Sequence, residues 1–413
     1  MAGFIDILRS GRWLTRERIR LVALALLAAM VLGAGFLIAT SNGLNDRFGR
    51  PLGTDFSNVY AAGSYVLDGE PSAPFDPPHQ YAREQAIFGQ ATQFYGWHYP
   101  PFFLGIAALL AAMPYWLALI VWQGVTLALY VLAIRAILPA QLKTDHFWLL
   151  LTLAFPAVFV NLGQAHNGFL TAALLGSTLT LLDRRPIVSG ILIGCLAYKP
   201  QFGLLIPLVL IASGRWRAFA SAAATVVVMM IAVTLAFGVD VWSAFLATGH
   251  FTRTVVLEDG GTGWYKIQSI FSWVRMWGGG IALAYATQAT VTIVIAAALC
   301  WLWRSRASYA LKGAGLLIGT LLATPYSLDY DLMLLAPAIA YLVTDGVARG
   351  FAPWEKTILA TLWIVPLVAR SVPQATLIPL AVPIMLLSLA ILLRRAMGES
   401  GATQASGVLR RVP

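Results

Sequence analysis

Asp55, His98, Gln164, Lys199 and Asp329 are polar residues in a chain that is mostly apolar, and each stands at the edge of a hydrophobic run. Asp55 lies in Thr54-Asp55-Phe56-Ser57-Asn58, where Thr54 or Asp55 can cap a following helix. Partly withdrawn from water at a membrane boundary, the carboxylate would instead titrate above its ordinary value of about 3.9. It could then act as a general base on an acceptor hydroxyl. His98, in Trp97-His98-Tyr99-Pro100-Pro101, can donate to a phosphate oxygen or start the helix that follows the prolines. Gln164 and Asn167 are three apart, which predicts one shared helix face carrying donors and acceptors for sugar hydroxyls; His166 and Asn167 also read as caps. Lys199-Pro200-Gln201 puts a lone cation beside a span. It either snorkels to the interface or supplies a counter-charge for a phosphate, with Arg253 or Lys266 helping.

Thr324 to Asp331 completes the set, with Tyr326 and Asp329 as binding candidates. Asp329-Tyr330-Asp331 matches a D-x-D metal motif by letter, but residues two apart on a helix point about 200° apart and one ion cannot easily use both. No His, Cys and carboxylate set has metal spacing, and no phosphate-binding glycine loop or dinucleotide fingerprint occurs. Neither a metal nor a cofactor is expected.

The elements that must hold these residues are membrane helices. Of 413 residues 59% are hydrophobic and 11% charged, more apolar surface than a soluble domain of this size can bury. An all-α polytopic membrane protein follows. The net charge of +10 does not indicate nucleic acid, because Lys and Arg fall in short clusters between apolar runs, the topology signal of an inner-membrane protein. Cys195 and Cys300 lie inside apolar runs and read as core residues, with no disulfide framework.

A basic N-terminus (1–20) precedes an uncleaved first span, and the transmembrane domain extends over 21–395. Within it, 41–97 forms a first extracytoplasmic loop with weakly amphipathic interfacial stretches near Thr54–Leu67 and Pro78–Phe94. A second loop, 239–280, rich in glycine and aromatics, reads as a lid or sugar platform, or as an ordinary solvated loop. Residues 396–413 read as a disordered cytoplasmic tail. Arg184-Arg185, Arg215 with Arg217, Arg304 with Arg306, Arg349 and Arg394-Arg395 recur at every second turn and should be cytoplasmic. That places every polar cluster above on the opposite, periplasmic side. Parity leaves room for one crossing between His98 and Arg135, so 115–138 is taken as the span and Phe102–Met113 as re-entrant. The result is twelve crossings with both termini cytoplasmic; thirteen is the alternative.

The ordered set Thr54-Asp55-Phe56, His98-Tyr99-Pro100-Pro101, Gly163-Gln164 with Asn167, Lys199-Pro200 and Thr324-Pro325-Tyr326-Ser327-Leu328-Asp329 resembles glycosyltransferase family 87 over about residues 20–395. These are GT-C superfamily enzymes typified by polyprenol-phosphate-mannose-dependent mannosyltransferases. The resemblance implies a GT-C-like bundle, an inverting and metal-independent hexosyltransferase of the bacterial plasma membrane, and a catalytic role for Asp55. It implies a polyprenyl-phosphate sugar donor, a glycolipid or glycan acceptor, and a monomer bound to membrane lipid. Relatives often carry histidine where this chain has Tyr330 and Asp331. A transporter or flippase of lipid-linked sugars is the alternative function, though such proteins place charge near the bilayer midplane and show internal repeats that are not evident here.

Overall fold

The computed structural model describes residues 2–409. Helices dominate, and among the described residues there is no β-strand, only isolated bridges. A short helix α1 (Ala2–Ser10) leads into α2 (Arg16–Ala39), capped by the Thr15 hydroxyl on the Arg18 amide. The first long connection folds into α3 (Thr54–Leu67) and α4 (Pro77–Phe88), followed by α5 (Leu104–Ala111). Then come the long α6 (Tyr115–Ile137) and the pair α7 (Phe147–Leu153) and α8 (Pro156–Gln164), bent by 48° where Pro156 starts the second helix. Three short apolar helices follow: α9 (Gly168–Leu181), α10 (Pro186–Cys195) and α11 (Ile206–Ala212). The long α12 (Trp216–Phe237) ends at Gly238, and the second long connection holds α13 (Asp240–Phe251), a π-helical turn at Thr252–Glu258, and α14 (Ile270–Met276). The chain closes with α15 (Ile281–Arg304), α16 (Tyr309–Ala323), α17 (Leu335–Arg349), α18 (Glu355–Ile364), α19 (Ser371–Thr376) and α20 (Ala381–Leu409).

Among the described residues, six helices are long and apolar enough to cross a bilayer, seven with the bent pair. Their outward faces carry exposed Leu32, Leu235 and Ile293, side chains that only lipid would solvate. Small residues set the close approaches inside. Gly190 and Gly194, four apart on α10, face α12, where an added Cβ would meet the Ala218 carbonyl at 2.5 Å and Thr225 Cβ at 2.5 Å. Gly315 and Gly319 do the same for α16 against Leu302 and Leu299 of α15. Helix α3 does not lie on the interface as its pattern suggested. Phe56, Ala61 and Ala62 are fully buried, and Gly63 sits against the Ala107 backbone of α5, where a methyl would come within 2.0 Å of the carbonyl oxygen. Helix α5 itself is far shorter than the ~20 residues a crossing needs.

One boundary differs from the sequence expectation. Helix α19 is closed by Leu377 in the left-handed region, and α20 starts at Ala381. Helix α20 then continues to Leu409, well past 396, where a disordered tail was expected; 410–413 lie outside the described residues.

The arginine-bearing turns meet one another. Arg215 pairs with Asp183 at 2.6 Å, the Tyr309 hydroxyl donates to the Leu179 carbonyl at 2.5 Å, and Arg16 pairs with Asp145. Arg395 contacts Glu355 at 2.6 Å and Asp345 at 2.8 Å, and the Trp354 amide donates to the Arg9 carbonyl. Helices α2 and α6 connect this end to the opposite one, where the polar clusters gather.

Candidate active site

Helix α3 begins at Gly53, whose φ of 73° suits glycine and which lies against Ala165 and Leu119, where a Cβ would meet both at 2.8 Å. Neither Thr54 nor Asp55 caps the helix; no side-chain cap hydrogen bond forms. The Asp55 carboxylate is instead free to point into a cavity of about 610 Å³. The same cavity is lined by His98, Tyr99, Gln164, Lys199, Gln201, Arg253, Lys266 and Tyr326. Residues from seven separate stretches of chain thus converge on one vestibule.

Gln164 is held by the way α8 ends. Ala165 adopts φ 52°, unusual for a residue with a side chain, and its carbonyl accepts from the Trp122 indole at 3.1 Å while Gln123 donates to the Leu162 carbonyl at 2.8 Å. This turn corrects the helix-face expectation: Gln164 closes α8 and Asn167 precedes α9, so they share no face. Asn167 is buried and does not line the cavity. In the amide orientation that satisfies both neighbours, Gln164 donates to Asp55 at 3.0 Å and accepts from Arg370.

Arg370 also binds Asp329, so Asp329 stands behind the arginine and off the cavity wall. Lys199 sits at a helix break between two 3-10 turns and is 4% exposed. Its ammonium meets Asp331 at 2.6 Å, and the other Asp331 oxygen accepts from the Leu328 amide at 3.0 Å. The two carboxylates of Asp329-Tyr330-Asp331 therefore serve two different cations. Among the described residues, no group of three or more His, Cys, Asp or Glu could hold a metal ion.

Burial pushes Asp55 up to about 6, above the ordinary carboxylate range; Arg370, Lys266 and Lys199 pull it down and Asp329 pushes it further up. Burial lowers His98 to about 4, so the imidazole is neutral near pH 7. Its Nδ1 lies 2.9 Å from the Thr252 hydroxyl, leaving Nε2 for a ligand but no positive charge. Arg253 pairs loosely with Glu258 at 3.4 Å, and among the described residues Lys266 has no carboxylate within ion-pair distance. The second long connection is fixed near the cavity by an isolated bridge, Ile267 with Leu328, and by Gln268, which donates to the Ala369 carbonyl at 2.7 Å.

Several lining residues were not among the sequence candidates, Arg370, Arg50, His166 and Tyr198 among them. His166 was weighed as a cap; it stacks on Tyr330 at 3.4 Å and meets the Tyr99 hydroxyl at 3.1 Å. Tyr198 lay within an apolar run. Glu84 is not on the wall but shapes it. Wholly buried, it accepts from the Tyr95 amide at 3.0 Å, the Gly96 amide at 3.2 Å and Gln80 at 3.1 Å, fixing the strip that carries His98. A glutamate eleven residues before a loop gives no periodic signal.

The family model for glycosyltransferase family 87 matches residues 97–325, more than half of the chain. The match includes His98, Gln164, Lys199 and Lys266, with Asp55 and Arg370 outside it. No curated protein and no solved structure matches the chain.

Proposed function

This chain belongs to glycosyltransferase family 87 and is a membrane glycosyltransferase, and on that premise we propose that it transfers a hexose, with mannose the family-weighted choice, from a polyprenyl phosphate to a lipid or glycan hydroxyl on the periplasmic face of the bacterial plasma membrane. The observation that carries this reading is Asp55: a carboxylate held near pH 6 on the wall of a cavity whose other walls carry cations.

In the proposed reaction the acceptor oxygen attacks the anomeric carbon while its proton passes to Asp55. The bond from that carbon to the phosphate oxygen breaks, and its electron pair leaves on the phosphate. One displacement inverts the centre and needs one base. A double displacement would need a second carboxylate about 5–5.5 Å from the first, and the nearby Asp329 and Asp331 are both committed to cations.

The departing phosphate gains negative charge, which fixed cations stabilise. Lys199 was the first choice from sequence, but its charge is largely answered by Asp331. The role passes to Lys266 and to Arg370, whose remaining guanidinium face borders the cavity, with Arg253 and Arg50 at the wall. Gln201, Tyr326 and neutral His98 are suited to sugar hydroxyls. The basic ends of the helices meeting on the opposite side support a cytoplasmic placement of both termini.

The test is transfer of labelled mannose from polyprenyl phosphate by the purified protein. Activity that disappears in Asp55→Asn supports the reading. Undiminished transfer in that variant, or substrate flux across liposomes with no covalent product, overturns it.

A further inference from the structure

A second cavity, of about 310 Å³, lies between α6, α7, α17 and α18, lined by Tyr130, Ile134, Leu151, Phe155, Ile339 and Trp363. It shares no lining residue with the first. Trp122 of α6 braces the active-site turn, and the second cavity's wall on the same helix starts at Tyr130, eight residues later and roughly 12 Å along the helix at ~1.5 Å per residue, and runs on to Leu138. The volume is at the lower end of the ~300–1,000 Å³ typical of small-molecule sites.

The polar groups on the inner wall are already spent. The Tyr130 hydroxyl donates to the Thr152 carbonyl at 3.2 Å, the Thr152 hydroxyl to the Trp148 carbonyl at 2.8 Å, and the Trp363 indole to the Leu151 carbonyl at 3.2 Å. Such a wall gives water little to bond and favours hydrocarbon. The mouth is different. Arg16 and Asp145 both line it and are exposed, and the guanidinium lies 4.9 Å from the Phe147 ring centre. Asp145 takes one edge of a group with five donors, and the remaining N–H groups are available to a second anion. Arg9, Arg12, Arg18 and Arg20 surround it in sequence.

We infer that this cavity binds one anionic phospholipid from the leaflet on the arginine-rich side, an acyl chain filling the pocket and the phosphate resting on Arg16. Hydrocarbon complementarity selects a lipid tail, and the guanidinium edge that Asp145 leaves open, in the arginine-rich segment 9–20, selects an anionic head. In native mass spectrometry of the full-length protein in mild detergent, phosphatidylglycerol should be retained about fivefold over phosphatidylcholine, which is what one arginine at an anionic surface supplies. Arg16→Gln should bring the two lipids to parity, and Ala340→Leu, which fills the pocket, should reduce both. Should Ala340→Leu fail to fold, quenching of tryptophan fluorescence by phosphatidylglycerol brominated on its acyl chain, compared between wild type and Trp363→Phe, reads the same pocket. Parity in the wild type, retention and quenching indifferent to these substitutions, or polyprenyl phosphate taken in preference to phosphatidylglycerol would overturn the inference.

Discussion

Asp55 titrating at about 6 ties activity and stability to pH in opposite directions. As the proposed base it would work only when ionised, so transfer should rise with pH about a midpoint near 6, with roughly a tenth of the sites competent at pH 5 and nine tenths at pH 7. Its loss in Asp55→Asn should cost on the order of 10²–10⁴ in kcat. Stability runs the other way. The folded state holds the Asp55 proton more tightly than the unfolded chain does, so the protein loses stability as pH rises from about 4 through about 6. The shift from 3.8 to about 6 is worth up to ~3 kcal/mol at pH 7, reduced by the access that the cavity gives to solvent. Asn keeps the shape and removes the buried charge, so Asp55→Asn should raise Tm at pH 7.5 and leave it unchanged near pH 4. Removing the main cation that opposes the shift, in Arg370→Gln, should move the activity midpoint up by ~1 unit or more. The assay is labelled-sugar transfer from pH 4.5 to 8.5 with scanning fluorimetry on the same samples. A flat profile for the wild type, or an Asp55→Asn protein that is inactive yet less stable at pH 7.5, would refute the argument and leave Asp55 a structural residue.

Breaking the buried Lys199–Asp331 pair from one side, with Asp331→Leu, should cost about 3–5 kcal/mol, and Lys199→Met with Asp331→Leu should recover most of it; a double variant as unstable as the single one would show that the pair is not the cause. If its activity recovers too, Lys199 has no part in holding the phosphate. Glu84→Ala frees the Tyr95 and Gly96 amides and should cost about 1–3 kcal/mol while raising KM more than it lowers kcat; unchanged kinetics would detach that clamp from the site. Gly63→Ala forces α3 away from the Ala107 carbonyl and should cost about 1–3 kcal/mol or more, with loss of transfer, whereas Gly105→Ala, with open space around it, should leave both intact. Equal Tm values for the two variants would reject the close approach.

Hydrophobic runs and arginine spacing were enough to predict a helical membrane protein and to put Asp55, Gln164, Lys199 and Lys266 on one side, because both signals are local properties of the chain. The upward shift of Asp55 was legible for the same reason: a carboxylate at the edge of an apolar run must lose water. What the sequence left open was which charges answer each other. Lys199 and Asp331 are 132 residues apart and Arg370 and Asp329 are 41 apart, and no periodicity reports such pairings. The left-handed Ala165, which turns Gln164 towards Asp55 and Asn167 away from the cavity, depends on Trp122 from another helix. Packing alone decided that Lys199, the obvious cation, is already paired with Asp331, and that Arg370 and Asp55 share Gln164.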